Sequence, residues 1–513
     1  MKLERTKNSL RNLVWGMINK IVGILLPFFV RTVFIKYLGA NYLGMNSLFT
    51  SILTVLNLAE LGLSNAIVYN MYKPIADGET DEVCALLNFY KKAYRGIGIF
   101  VGLIGILLIP FLEYFVNGSY PAGINIVIVY CVYLANTVSS YFLFAYKNCI
   151  LTAYQREDII SKINLCLKTL MYLLQIIFLI YYKSYYLYIF ISFLNTVLTN
   201  IVVAYYSSKY YPEYKAKGII SDNKIAIIKK NVRGLFIGKL CIISRNSLDN
   251  IFLSMFLGLK IVTIYSNYFY IMNAVSSILI LIMTSISAGI GNSVATESVE
   301  KNFDDFSRFV FMYQWLSGVC TVCLFCLFQP FMKLWMGESL MFPMIDVILI
   351  CFYFYCLTMG DVKSQFISAL GLFWENRFCV LLEAISNLIL NFLLVSFFGV
   401  HGIIIATIIS IFAFNFLLGS RVLYKYYFNQ YNLKEYYINH LFYLIVAFIA
   451  SLISFAVCKV VVMEGLFGLL IKGLICLVIS NLVYFVFFRK TKIFQASIKF
   501  VSVNIIKNQP YYN

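Results

Sequence analysis

Seven of the charged residues inside long apolar stretches of this sequence are the first candidates for chemistry. Four are cations and three are acids: Lys20, Arg31, Lys239 and Arg245, and Glu60, Asp249 and Glu383. A cation at the centre of a lipid-facing helix costs roughly 2.5–3.5 kcal/mol on insertion scales, so these side chains are expected to face a water-filled cavity. Guanidinium and ammonium groups bind phosphate and carboxylate. The cations therefore predict a binding site for an anion, and the acids predict ion coupling or pairing.

Helical spacing groups these residues. Lys20 and Arg31 are eleven positions apart, which at 100° per residue places them about 20° apart on one helix face. Arg245 and Asp249 are one turn apart and are predicted to pair. A second interpretation stays open for Arg31 and Asp249 near span ends, namely snorkelling to the interface or a structural ion pair. For Lys20 and Arg245 we favour ligand binding, because they lie deeper.

Residues that could support enzymatic chemistry are sparse. The two histidines, His401 and His440, lie near span ends without a carboxylate at a telling spacing, so no catalytic histidine is predicted. A C-x2-C-x2-C run at 320–326 lies on one apolar helix, and we interpret its cysteines as packing residues rather than metal ligands. The sequence contains no nucleotide-binding or zinc signature. We therefore predict a protein that is not an enzyme and that uses no metal or other cofactor.

The elements that must position these residues are membrane-spanning helices. Of the 513 residues, 61% are hydrophobic and only 12% are charged, which excludes an ordinary soluble domain. Windows of about 19 residues predict about fourteen spans. They lie near 13–35, 45–69, 93–115, 123–146, 163–182, 186–206, 234–257, 262–289, 307–331, 343–370, 376–398, 402–423, 440–462 and 466–488. The predicted fold class is an all-α polytopic membrane protein.

A polar interval divides the spans, and an internal repeat relates the two halves. The prediction is an N-lobe of six helices (1–207), a cytoplasmic linker (208–233), a C-lobe of six helices (234–430), a helix pair (431–489) and a cytoplasmic tail (490–513). A shift of 219 positions aligns Lys20 with Lys239, Gly39 with Gly258, and Ser47 with Ser266. Six-helix repeats enter and leave on one side of the membrane, so the sequence predicts two parallel lobes around a central cationic cleft.

Basic residues predict the orientation of the chain, because short basic loops stay on the cytoplasmic side. One set of alternate intervals is rich in Lys and Arg, among them Lys2, Arg5, Lys73, Lys91, Lys147, Arg156, Lys162, Lys224, Arg308, Lys363, Arg421 and Arg489. The opposite intervals hold Lys36, Lys183, Lys260, Lys333 and Lys459. Both termini are therefore predicted to be cytoplasmic. We therefore attribute the net charge of +18 to basic cytoplasmic loops and to their attraction to anionic lipids. Nucleic-acid binding is not predicted.

One stretch of the chain resembles a known family. The segments YLG at 37–39, YLG at 42–44, LAELGLSNAI at 58–67 and YKP at 72–74 resemble the start of Wzx-type polysaccharide flippases, and the fourteen-span plan extends the likeness along the chain. That family belongs to the multidrug, oligosaccharidyl-lipid and polysaccharide exporter superfamily. Its members have two six-helix lobes, and its lipid II flippases have two further helices. The lipid II flippases carry functional arginines in helix one and in the second lobe, where this chain is partly lysine.

The resemblance implies a function that composition alone does not. It implies translocation of undecaprenyl-pyrophosphate-linked oligosaccharide repeat units, of the O-antigen or capsule type, across a bacterial inner membrane by alternating access. The implied partners are the anionic lipid-linked oligosaccharide, membrane lipids, a coupling ion such as H⁺ or Na⁺, and polymerase or chain-length proteins. Two alternatives stay open, a membrane polymerase or acyltransferase of the same pathway and a drug or cation antiporter of the same superfamily. Short outer loops disfavour the first, and a basic cleft disfavours the second.

Overall fold

The computed structural model of the protein describes residues 5–60, 62–118, 120–121, 123–226, 228–229, 232 and 243–502. Two compact units divide the chain between Ser266 and Asn267. The first unit contains helices α1 to α9, which span Arg5–Tyr37, Ala40–Leu56, Leu63–Asp77, Thr80–Leu107, Ile126–Phe142, Asn148–Ala153, Glu157–Tyr182, Tyr185–Tyr210 and Asp249–Leu257. Helix α10, Leu259–Thr296, begins in the first unit and ends in the second.

The second unit holds the remaining helices. Helices α11 to α18 span Val299–Met336, Met344–Met359, Asp361–Ala369, Phe373–Ser410, Gly419–Tyr426, Leu433–Val460, Gly465–Phe488 and Lys492–Val501. Short 3₁₀ segments lie at Asn57–Glu60, Ile109–Phe115, Ala145–Lys147 and Glu338–Leu340, and π-helical segments lie at Ser244–Leu248 and Ile411–Leu418. Within the described residues there is no β-strand. The predicted fold class, an all-α polytopic membrane protein, is confirmed.

The described residues contain nine helices that are long and apolar enough to cross a membrane, or eleven if two bent pairs count as spans. Bends account for part of the difference from the fourteen predicted spans. The run Phe373–Tyr426 holds two predicted spans, which the non-helical Gly399 joins. The predicted span 45–69 is divided by a 3₁₀ turn at Asn57–Glu60. The count of fourteen therefore stays a prediction, because a hydropathy window detects apolar length and does not detect a bend.

Helix α4 shows how the sequence divides a helix between lipid and protein. Leu103, Ile106 and Leu107 are more than half exposed, whereas Val101 is fully buried. Lipid tails are as apolar as leucine, so the exposed face carries no penalty in a membrane, and association between helices depends on close packing. Polar N-cap residues begin several helices, for example Asn125, whose side chain accepts from the backbone N–H groups of Val127 and Ile128 at 3.0 and 3.2 Å. The distribution of apolar residues and the polar N-cap residues thus both match the observed helices.

The helix bounds recur with the spacing of the predicted repeat. Helices α2 and α10 begin at Ala40 and Leu259, and helices α4 and α11 begin at Thr80 and Val299, each pair 219 positions apart. The glycine before α2 and the glycine before α10 have the same left-handed backbone, with φ of 98° at Gly39 and 86° at Gly258. A side chain would be strained at both positions. The repeat is therefore present in local structure as well as in sequence, while the predicted lobe boundaries stay a prediction.

Helix α2 packs against the beginning of α10, its counterpart in the repeat. Ser47 and Ser266 lie 3.4 Å apart through their hydroxyl oxygens, and Thr263 donates to the carbonyl oxygen of Ala40 at 2.5 Å. A Cβ atom added to Gly44 would lie 2.0 Å from the carbonyl oxygen of Leu259. The contacts join residues 223, 219 and 215 positions apart, which centre on the repeat spacing, so each segment meets its own counterpart. Small residues allow this approach.

Candidate functional site

The two cations predicted on helix α1 lie on one unbroken helix. Lys20 and Arg31 both fall within Arg5–Tyr37, and both side chains are half-buried. At 1.5 Å per residue they are separated by about 16 Å along the axis and share one face. Arg31 donates from Nη1 to the carbonyl oxygen of Ser266 at 3.4 Å. Helix α1 therefore carries two partly accessible cations at two depths, and one of them reaches the contact between α2 and α10.

The second predicted pair of charges lies at the start of α9. Arg245 falls in the π-helical turn Ser244–Leu248, and Asp249 begins the helix that follows. Asp249 is only 1% exposed, and its Oδ2 accepts a hydrogen bond from the Tyr265 hydroxyl at 2.7 Å. A buried carboxylate needs such a partner. Lys239 lies outside the described residues, so its predicted role stays a prediction.

Glu60 lies in a break between α2 and α3 that a group of tyrosines surrounds. The carboxylate accepts a hydrogen bond from the hydroxyl of Tyr94. The Tyr141 hydroxyl donates to the side-chain oxygen of the neighbouring Asn57 at 2.8 Å, and the rings of Tyr94 and Tyr141 pack edge to face. The break positions Glu60 because a 3₁₀ turn and the left-handed Gly62 end one helix and begin the next. Ion coupling through Glu60 stays a prediction.

A cluster around Asp158 joins α1 to α7, and sequence reasoning did not identify it. The carboxylate is fully buried and contacts Arg11 at 3.2 Å, Arg156 at 3.0 Å and Lys162 at 3.3 Å. Burial acts against the charge on Arg156, but the hydrogen bond and the charge of Asp158 outweigh it, and they raise the pKa of this guanidinium above its ordinary value. Asn12 accepts from the backbone N–H of Asp158 at 2.8 Å. The cluster therefore fixes the start of α1 to α7.

Glu383, the third predicted acid, belongs to a buried polar site in the second unit. Glu383 is 1% exposed, and its Oε2 accepts from the side-chain amide of Asn415 at 3.1 Å. The carbonyl and the side-chain oxygen of Asn415 accept from the ammonium of Lys363, at 2.7 and 3.1 Å. Lys363 is also 1% exposed. The sequence analysis counts Lys363 among the basic residues of the cytoplasmic side and not among the site residues, whereas the short helix α13 places its side chain inside the protein.

Buried amides extend the site along α14. Asn387 donates to the hydroxyl of Thr407 at 2.9 Å, and Asn391 lies 3.4 Å from the side-chain oxygen of Asn387. All three are fully buried. Helical spacing of four residues places Glu383, Asn387 and Asn391 on one face of the helix. This spacing was visible in the sequence, although only the acid was selected from it.

The surroundings of the two histidines differ in part from the sequence prediction. Asp346 lies beside His401, with Oδ1 3.4 Å from Nε2, so this histidine does have a carboxylate partner, brought to it from another helix. His440 is buried against the rings of Phe416 and Tyr436.

Among the described residues, Cys326 meets Cys458 and Cys476, with the three sulfur atoms within 4.8 Å of one another. Two further helices thus supply thiols to the predicted packing run, so that three thiols from three helices lie together.

Solved structures with the same fold exist at low sequence identity. A lipid II flippase, MurJ, in an inward closed conformation matches with a TM-score of 0.64 and 16% identity over 93% of this chain and 98% of the flippase. A multidrug resistance transporter of the MATE family, in the MOP superfamily, matches with a TM-score of 0.57 and 14% identity over 80% of this chain and 98% of the transporter. The chain therefore shares its fold with these two proteins.

A third match adds a transporter with a different pocket. A MOP superfamily transporter from Pyrococcus furiosus, described as having a binding pocket of reverse polarity, has a TM-score of 0.56 and 15% identity over 82% of this chain and 96% of the transporter. No protein-family model and no curated protein matches the sequence. The apolar helices and the shared fold establish a multi-pass membrane protein. Identities of this size show the fold alone.

Proposed function

We propose that the protein is a flippase that moves an undecaprenyl-pyrophosphate-linked oligosaccharide from the cytoplasmic to the outer leaflet of a bacterial inner membrane. The observation that carries this proposal is the extent of the match. The lipid II flippase covers 93% of the chain, whereas the MATE transporter covers 80%. The difference is about the size of the helix pair Leu433–Val460 and Gly465–Phe488. The family resemblance of the sequence supports the same class of cargo.

The cations support an anionic cargo. We propose that Lys20, Arg31, Lys239 and Arg245 line a cationic cleft and bind the pyrophosphate. An arginine offers two parallel hydrogen bonds to a phosphate, and a lysine offers a point charge. Lys20 and Arg31 are partly accessible on one helix, as such a role requires. Glu60 and Asp249, each held by a tyrosine hydroxyl, are proposed to take part in ion coupling or in pairing with the cations.

A drug or cation antiporter is the second candidate, because transporters of the MATE family share the fold. The two candidates differ in the charge of the cargo. An antiporter for organic cations requires acidic groups in its cleft, whereas the flippase requires cations. A membrane polymerase or acyltransferase of the same pathway would lengthen or acylate the glycan. Analysis of the glycan before and after exposure to the protein separates this enzyme from both transporters.

The test is translocation in proteoliposomes. A fluorescent undecaprenyl-pyrophosphate oligosaccharide is incorporated, and a membrane-impermeant quencher measures the fraction in the outer leaflet over time. We expect Lys20→Ala and Arg31→Ala to slow translocation at least about tenfold, since each removes roughly one charge-assisted contact worth about 1.4 kcal/mol or more. The matched control is Lys260→Ala, an exposed lysine on α10, which should leave the rate unchanged. The proposal fails if the wild-type protein moves an organic cation and not this lipid.

A further inference from the structure

The ammonium group of Lys363 is buried in the second unit, and the energetic cost of burying it must be offset by nearby groups. A lysine in a membrane-embedded protein is costly unless it is paired or hydrogen-bonded. Its Nζ atom has two oxygen ligands on one residue, the carbonyl of Asn415 at 2.7 Å and the side-chain oxygen of Asn415 at 3.1 Å. Those ligands belong to a helix, where backbone carbonyl groups are ordinarily occupied.

A π-helical segment makes the Asn415 carbonyl available. In an α-helix the carbonyl of Asn415 would accept from the backbone N–H of Gly419. Here the N–H of Gly419 bonds to the carbonyl groups of Phe414 and Phe416 instead. The segment Ile411–Leu418 is wound more widely, so that the carbonyl of Asn415 is directed to Nζ. Such π-bulges are frequent at functional sites.

Two glycines shape the space around the ammonium. A Cβ atom on Gly419 would lie 2.6 Å from Nζ, and a Cβ atom on Gly360 would lie 2.5 Å from the side-chain oxygen of Asn415. Neither distance is compatible with the present positions of these atoms. The cavity is therefore matched to a primary ammonium and its oxygen ligands, and a planar guanidinium would not fit it.

Two acidic residues lie close to the ammonium or to its ligands. Asn415 also donates to Glu383, so that its side chain joins an ammonium to a carboxylate. The neighbouring Asp361 accepts a hydrogen bond from Tyr313. The backbone carbonyl and the amide oxygen of Asn415 are hard oxygen donors, which is the donor class that binds alkali cations in proteins. Lys363 thus occupies, with its own charge, a position that has the ligands of a monovalent cation site.

We propose that the ammonium of Lys363 is an internal substitute for a bound monovalent cation. The second unit then holds one positive charge at this position without taking Na⁺ or K⁺ from solution. Removal of the amine should convert the position into a site for a free monovalent cation, either Na⁺ or a small alkylammonium ion that fits the vacated volume. The proposal concerns binding and stability, and it does not depend on what the protein transports.

The experiment is thermal unfolding of the purified full-length protein in choline chloride, with Na⁺, K⁺ or ethylammonium added. We expect Lys363→Ala to unfold about 3–5 °C below the wild type in choline, because Asn415 loses the ammonium and the buried Glu383 loses the nearby positive charge. Na⁺ or ethylammonium should restore at least half of this loss with saturation, because a ligand that binds only the folded state raises its stability. The wild type should show less than about a quarter of that response.

The matched control is the double variant Lys363→Met with Glu383→Gln. It removes both charges and fills the space of the lysine stem, so it should fold and show no response to cations. Glu383→Gln alone should be destabilised and should not be rescued by any cation. The proposal is overturned if Lys363→Ala does not respond to any cation, or if it folds under no condition while the double variant folds. Loss of transport without these thermal shifts would bear on the proposed function and not on this site.

Discussion

Gly44→Ala tests the close contact between α2 and the beginning of α10. Gly44 lies in the second turn of α2, inside the helix, where alanine is the better helix former by about 1 kcal/mol. Its added Cβ atom would lie 2.0 Å from the carbonyl oxygen of Leu259, 2.7 Å from the carbonyl carbon and 3.0 Å from the Cα atom. These are backbone atoms, and the left-handed Gly258 fixes the backbone just before them. The helices must therefore separate, since no side chain can rotate away.

The magnitude follows from two opposing terms. Overpacking in a well-packed interior costs about 1–3 kcal/mol, and the helix propensity of alanine offsets about 1 kcal/mol of it. The matched control is Gly96→Ala in α4, an exposed position where an added Cβ atom would have no neighbour within 4 Å. The control should be neutral or stabilised by up to about 1 kcal/mol. The two variants should therefore differ by about 1–3 kcal/mol, or roughly 1–3 °C in Tm for a chain of this length.

Thermal unfolding of both variants in the same detergent measures the difference directly, and the translocation assay shows whether a looser contact affects transport. The reasoning would be refuted if Gly44→Ala unfolded at the same temperature as Gly96→Ala, because the close approach of α2 to Leu259 would then be absent from the folded protein. A bulkier variant, Gly44→Val, should unfold at a lower temperature still, since its side chain extends further toward the same carbonyl group.

Three further predictions concern other contacts. Asp158→Asn should destabilise the protein by about 1–3 kcal/mol, after allowance for the solvent around its half-exposed cations, and it should speed proteolysis near the start of α1. Tyr94→Phe should cost about 1–2 kcal/mol in unfolding, because Glu60 loses a buried hydrogen-bond donor. Mild oxidation should join Cys458 to Cys476, whose sulfur atoms lie 3.8 Å apart, and peptide mass spectrometry of the digested protein should detect the cross-link.

Each of these predictions has a matched control. Asp222→Asn changes an exposed aspartate and should not alter proteolysis of α1. Tyr114→Phe changes an exposed tyrosine and should not alter the unfolding temperature. Cys131 and Cys166 are exposed and are not close partners of the cluster, so a cross-link between them and Cys458 would contradict the described packing of α16 and α17. An unfolding temperature of Tyr94→Phe equal to that of the wild type would exclude the proposed contact with Glu60.

The sequence predicted local order better than it predicted long-range contacts. The shift of 219 positions anticipated the paired starts of α2 and α10, because the glycines and apolar residues that set those starts are themselves repeated. The number of spans was less predictable. Gly399 joins two predicted spans in one helical run, and a hydropathy window gives the same score to a joined and to a separated pair.

One acid of the buried polar site is visible in the sequence, and its cation is not. Glu383 stands out because a carboxylate is rare in an apolar stretch, whereas Lys363 lies near the end of the predicted span 343–370 and is counted with the basic residues of the cytoplasmic side. Its burial depends on Gly360, Gly419 and the π-helical segment, which come together only in the folded chain. The partners of Asp158 were likewise hidden, because Arg11 is distant from it in sequence.

The contact between Ser47 and Ser266 has a historical consequence. Residues that are each other's counterparts in a repeat meet only where a two-fold axis passes between them. A half-length ancestor that paired with a second copy of itself would have made this contact between two identical chains, and every mutation would have changed both sides at once. Duplication and fusion of such a chain would remove that restriction. Arg31 and Asn250, counterparts under the same shift, differ in charge, which two repeats in one chain permit and two identical chains do not.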